Sequence, residues 1–407
     1  MSLNKQIDWV SWSFISQTVK QQELSLVVWG KSEDWLPKVL RKHTPKLIID
    51  SNKSLDGKEY EGIPIVSPDK VKNSDWGEYY VVICTSAYSI ISEELKNYGL
   101  LENKNFSILP DLKDIQLIEN VAAFKCEFLA TSSDHDDLFS QRGSNLGGGI
   151  YHCTLDSNGL VFDKKISGQY REIKSYKDKF YAIDGFANKL TIFDKNYNIL
   201  KDVDIRHSNC CGIEIIDDYI YIANSSRDSI IVLDSNLNQV NESFISPLAS
   251  EKGSSKHHIN DLSSINNQLI VTMFSYSGFW RNGVFDGHLV SLNSELKIDK
   301  ILYSDLSQPH TPRVFDGEVS FADSFSGGLV HGTKGTILQV DGFVRGIEKI
   351  GPTWILGQSQ TLYLERRVGT SGKVFLNTGI YIYNEESKVY AFHSMPGIKN
   401  IHSLIVI

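Results

Sequence analysis

Lys179–Leu200 reads KFYAIDGFANKLTIFDKNYNIL and Tyr219–Val240 reads YIYIANSSRDSIIVLDSNLNQV. The two segments align without gaps at an offset of 40 residues. In each, two apolar strands flank a polar turn, and the second strand runs into Asp-x-Asn-x-Asn. A period of this size is that of a propeller blade. The strand-ending turn recurs at Asp156, Asp194, Asp234, Asn293, near His331–Gly332 and at Asn384, at spacings of 38, 40, 59, about 38 and 52 residues. Six copies predict six blades, with insertions in the longer intervals. A lone four-stranded sheet leaves both faces bare, so such units must pack around a channel.

Working outward, alternation with Gly, Asn, Asp and Ser turns runs from about Phe124 to the end, and no helical stripe persists there. A second register fixes the inner strands. Cys211–Ile216 aligns with Arg345–Ile350 at an offset of 134, and Arg171 lies 40 residues before Cys211. Asn260 and His310 fall in the same register, as does His402 ahead of the last strand. That last strand is expected to close the ring beside the blade begun at Phe124, which removes a free sheet edge.

The first region alternates differently. Leu24–Trp29, Leu47–Asp50, Ile63–Val66, Tyr79–Cys84 and Phe106–Leu109 read as short strands, with helices over Asp34–His43 and Ser86–Tyr98. Gly99 suits the left-handed stop of the second helix. This rhythm implies a small mostly parallel sheet. The expected architecture is therefore an all-β six-bladed propeller over 116–407, preceded by a small α/β Rossmann-like domain over 1–115. The segments WGK, IIDSN, GIPIVSPD and YYVVICTS resemble the Rossmann-like domain of bacterial sugar-tailoring enzymes. Gly30 and Asp50 stand at a dinucleotide-like separation, but WGKSEDW has one glycine where a pyrophosphate needs a three-glycine turn, which disfavours a nicotinamide cofactor.

Composition narrows the partners. Net charge is −8 with no Lys/Arg block, which argues against nucleic acid. No apolar run approaches the roughly 18 residues of a membrane helix. The start, MSLNKQIDWVSW, does not read as a secretory signal. The five cysteines have irregular spacing, so reduced thiols and a cytoplasmic location are expected. No zinc-type ligand spacing occurs.

The equivalent inner-strand starts are Arg171, Cys211, Asn260, His310, Arg345 and His402. A wet channel mouth accounts for polarity at these positions, but poorly for two Arg and two His together. Enlarged loops at Ser132–Gly148, Ser275–Gly287 and Gln360–Thr378 are expected at the same mouth. They would bring Asp134, His135, Asp136, Phe279, Trp280, Arg281, Tyr363, Arg366 and Arg367 to the rim. Asp184, Asn224, Asp323 and Gln358, at second-strand ends, are expected as a further inner layer. Cys210–Cys211 is a vicinal pair with one member facing the core, which argues against redox chemistry.

His257–Asp261 (HHIND), Pro309–Arg313 (PHTPR) and Gly342–Gly346 (GFVRG) resemble signature motifs of an uncharacterised bacterial six-bladed propeller family, a domain of unknown function whose members occur near polysaccharide genes. Thr311 stands where that family more often has Ser. The resemblance implies His258, Asn260, Asp261, His310, Arg313 and Arg345 as site residues.

Two classes of function follow. In the first, the funnel binds, and acts on, a sugar-derived or other anionic small molecule, in polysaccharide biosynthesis or modification. Arg171, Arg313 and Arg345 would hold the anion, with Asn260, His402 and Trp280 as further substrate contacts. His310 or His258 would serve as catalytic acid or base, oriented by Asp261. A divalent cation held by Asn260, Asp261 and Glu172 ranks below anion binding, because three Arg would repel it. In the second, the propeller is a non-catalytic scaffold that binds a glycan or a protein partner.

Overall fold

The computed structural model describes residues 10–134, 147–206, 209–250, 255–360 and 375–407. His135, Asp136, Tyr363, Arg366 and Arg367 lie outside the described residues. The chain divides into two compact units, residues 1–120 and 121–407. The helix Pro110–Ala122 runs across that boundary.

In the first unit, β1 (Ser25–Trp29), β2 (Leu47–Ile49), β3 (Glu59–Tyr60), β4 (Ile63–Val66), β5 (Tyr79–Ile83) and β6 (Phe106–Ile108) form one sheet in the order β3-β4-β2-β1-β5-β6. All pairings are parallel except the β3–β4 hairpin. The strands are apolar because both faces are covered: Val28, Ile48, Ile49 and Val82 are fully buried. Helix α1 (Trp12–Gln21) starts at Ser11, whose hydroxyl accepts from the Phe14 amide. Helix α2 (Tyr88–Asn97) is followed by Gly99 at φ 84°, the left-handed stop its sequence demands.

The second unit is a six-bladed propeller. Blade 1 combines the C-terminal strand Leu404–Val406 with Cys126–Ser132, Gly149–Asp156 and Gly159–Ser167. Blades 2 to 6 begin with the inner strands Tyr170–Tyr176, Cys210–Ile216, Ile259–Ile265, Pro309–Phe315 and Phe343–Ile350. The third strand of every blade ends at a predicted turn residue or immediately before it. Asp194, Asp234 and Asn293 each accept from backbone amides two and four residues on, so one short side chain builds each turn.

The core is distributed. Six separate apolar clusters lie one between each pair of neighbouring blades, including blade 6 against blade 1. Leu404, fully buried, joins the cluster between blades 6 and 1, so ring closure is made by packing as well as by strand pairing. Among the described residues, no helix is long and apolar enough to cross a membrane.

Candidate functional site

In a regular strand, adjacent side chains point to opposite faces. The inner strands break this rule. Pairing to the second strand slips between Tyr170 and Ile173, Cys210 and Ile213, Ile259 and Leu262, His310 and Arg313, and Arg345 and Ile347. Such bulges re-aim consecutive side chains, here at two depths of the channel.

The outer layer holds the predicted strand starts. Arg171 Nη1 donates to Cys211 Sγ at 2.7 Å. Arg345 Nη1 lies 3.0 Å from His402 Nε2, which also contacts Ser133 Oγ at 2.7 Å. His310 Nδ1 lies 2.9 Å from the Gln308 carbonyl and 2.7 Å from Ser324 Oγ. A carbonyl only accepts, so Nδ1 carries the proton and Nε2 is the acceptor. Asn260 Nδ2 reaches the His258 carbonyl at 3.4 Å. The His258 ring sits between Phe274 and Trp280, with centroids 4.5 and 4.4 Å away.

Three histidines here are held neutral. Burial, with Arg171, Arg281 and Arg345 nearby, pushes His258 down to about 3. Burial and then Arg345 hold His310 well below the usual imidazole range. Burial, Arg345 and Arg171 do the same to His402.

The next layer collects the carboxylates. Arg313 Nη2 donates to Glu172 Oε1 at 2.6 Å, and Ser403 Oγ donates to the same oxygen at 2.8 Å. Glu348 lies 3.9 Å from Arg313 Nε, and Lys174 pairs with Glu214 at 3.0 Å. Asp261 Oδ2 accepts from the Thr311 amide at 2.7 Å. Burial and the neighbouring Glu172 push the Asp261 carboxyl up to about 7. Burial raises Glu348 to about 7 as well.

This arrangement sorts the expected site residues. Arg171, Asn260, His310, Arg345 and His402 come together in the outer layer, and His258 and Trp280 join them. Arg313 does not. Its guanidinium is paired with Glu172 in the layer below, because a buried arginine needs a carboxylate. Asp261 orients neither His258 nor His310; it caps the Thr311 backbone, while Gln308 and Ser324 hold His310. Glu172 is committed to Arg313 and Ser403, so it is not free for a cation. Among the described residues, no group of three His, Cys, Asp or Glu side chains could hold a metal ion.

Asp184, Asn224, Asp323 and Gln358 are turn and strand fasteners. Asp184 accepts from the Phe186 and Ala187 amides, and Asp323 from the Ser307 amide. Asn224 accepts from Ser226, and Gln358 donates to the Asn377 carbonyl. Asp134 accepts from Lys399 and Asn400.

Asp228 is a residue that sequence reasoning missed. Fully buried, it accepts from the backbone amides of Lys256, His257 and Ile259 and so fixes the segment carrying His258. The repeat aligns it with Asn188, and both sit at positive φ, 54° and 55°. That signals a turn, not the clamp on the next blade. Phe274 and Ser324 were likewise unmarked, since apolar and serine residues at strand ends carry no distinctive pattern.

The second unit is thus a six-bladed propeller in which, among the described residues, the inner-strand starts bring arginines and histidines together. A domain of unknown function, DUF4915, matches residues 202–374, a span that contains all three motifs quoted above. No curated protein matches the sequence. Solved structures with some likeness include a protein of unknown function from Bacteroides caccae, with 12% identity and TM-score 0.46 over 69% of this chain and 99% of that one. A chain of the nidogen/laminin complex has 9% identity and TM-score 0.47 over 70% and 98%. A putative 6-phosphogluconolactonase from Bacteroides fragilis has 11% identity and TM-score 0.42 over 70% and 98%. These likenesses say nothing about chemistry in this chain.

Proposed function

We propose that the channel mouth binds a sugar-derived anionic small molecule, in polysaccharide biosynthesis or modification in the cytoplasm, with the Rossmann-like N-terminal unit as a companion module. The observation that carries this reading is the separation of charge by depth. Among the described residues, Arg171 and Arg345 gather with three neutral histidines, while Glu172 and Glu348 gather about Arg313, with Glu172 paired to it. Guanidinium groups in a water-poor recess favour carboxylate or phosphate.

A role in recognition is the stronger form of the proposal. A catalytic imidazole is commonly oriented by a carboxylate and poised near neutral pH. His310 is oriented by a carbonyl and a serine and lies well below that range. The test is calorimetry with glucuronate, glucose 1-phosphate and inorganic phosphate, on the wild type and Arg345→Ala. Binding that Arg345→Ala weakens by roughly thirtyfold supports the proposal. Absence of binding by all three anions overturns it. Turnover of a bound anion that His310→Ala abolishes would move the protein from recognition to catalysis.

A further inference from the structure

A continuous path of rings leads out of the mouth. The Arg345 guanidinium lies over Phe343 at 4.7 Å. From there, ring centroids step from Phe343 to His310 at 5.7 Å and from His310 to Phe274 at 5.2 Å. They continue to Phe285 at 6.5 Å and to Phe325 at 6.4 Å. Exposure rises along the path: Phe343 and His310 are 4% exposed, Phe274 is 9% and Phe325 is 39%.

The loop beside the path is built to stay in place. Ser275 Oγ donates to Asp286 Oδ1 at 2.5 Å and accepts from the Gly278 and Phe279 amides at 3.1 Å. Asp286 Oδ2 also accepts from the Ser277 amide at 3.0 Å. Phe279, 57% exposed, is thereby held on an ordered scaffold, and the platform is preformed at little entropic cost on binding.

We propose that the anion site is the inner end of an extended site for an acidic oligosaccharide. Its charged unit lies between Arg171 and Arg345, and its following sugar rings lie along Phe285 and Phe325, the outer rings of the path. This rests on the reading that the mouth binds a sugar-derived anion. Cationic groups at the inner end and exposed rings at the outer end match a ligand with charge at one end and ring faces beyond it. Sugar rings present apolar faces that pack on aromatic side chains, and each such contact contributes in proportion to the ring area covered.

The test is calorimetry with galacturonic acid and its linear dimer and tetramer, on the wild type, Phe325→Ala and Phe279→Ala. Both substitutions are at exposed rings, so folding is retained, and circular dichroism checks this. The tetramer is expected to bind at least about tenfold more tightly than the monomer, with Phe325→Ala losing most of that gain and leaving the monomer unchanged. Equal affinity for monomer and tetramer, or a gain that survives both substitutions, overturns the extended site while the anion site stands. Equal affinity for neutral maltotetraose overturns the role of the charged unit. No binding at any length overturns both.

Discussion

Arg313 and Glu172 are 141 residues apart in the chain, yet the guanidinium donates to the carboxylate at 2.6 Å inside the propeller channel. Burial works against the charged guanidinium, but Glu172 and Glu348 more than offset it, and Arg313 stays protonated. The pair joins blade 5 to blade 2 across the channel, and Ser403, just ahead of the closing strand, bonds to both partners.

Removing one partner strands the other charge. Arg313→Ala should destabilise the propeller by about 3–5 kcal/mol. Replacing both residues with apolar ones of similar volume should cost much less. Denaturant unfolding of the two single variants and the double variant measures the difference. If Arg313→Ala instead abolishes anion binding with no loss of stability, Arg313 belongs to the mouth after all.

Arg345 should behave in the opposite way. Arg345→Ala should weaken anion binding by about 2 kcal/mol, roughly thirtyfold, with a smaller loss of stability than Arg313→Ala. Titration calorimetry and thermal melting on the same samples give both quantities.

The raised carboxyls give a pH signature. Asp261 and Glu348 titrate near 7 in the folded chain and well below that when unfolded. Between the unfolded carboxylate range and about 7 the folded state still holds protons that the unfolded state has released, so these two groups make stability fall as pH rises toward about 7 and level off above it. The depressed histidines act with the other sign, losing stability as pH falls below their unfolded range, and add little slope above it. Asp261→Asn should therefore remove one proton's worth of that downward slope, relative to wild type, between about pH 5 and 7 in denaturant unfolding. An identical slope in wild type and variant would refute the assignment.

Ring closure is testable at Leu404, which is fully buried between blades 6 and 1. Leu404→Ala should cost about 2–5 kcal/mol. Because His402 and Ser403 precede it, the variant should also weaken anion binding near the unfolding midpoint. Melting curves with and without ligand would show this coupling.

Much of the fold was legible because blade turns are local. Asp194 and Asp234 bond to amides within four residues, so their spacing records the structure directly. The candidate site was legible in its positions, since repeats carry inner-strand register along the chain, but not in its roles. Arg313 and Arg345 look alike as sequence, each inside a polar motif, and neither residue type reveals depth in a channel. The slip in the inner strands placed one beside Glu172 and the other beside His402. Asp261 likewise reads as a partner for His258 or His310, but its carboxylate faces the Thr311 amide of the neighbouring blade.

The sequence by itself determined the number of blades, their turns, the closing strand and the residue types at the inner-strand starts. All of these rest on short-range hydrogen bonds and on a period that repeats. Only the tertiary structure decided which charges pair, which histidines stay neutral and which rings form the path outward. Those outcomes depend on distances between blades and on how much water each layer excludes, and neither quantity is written in the order of residues along a chain.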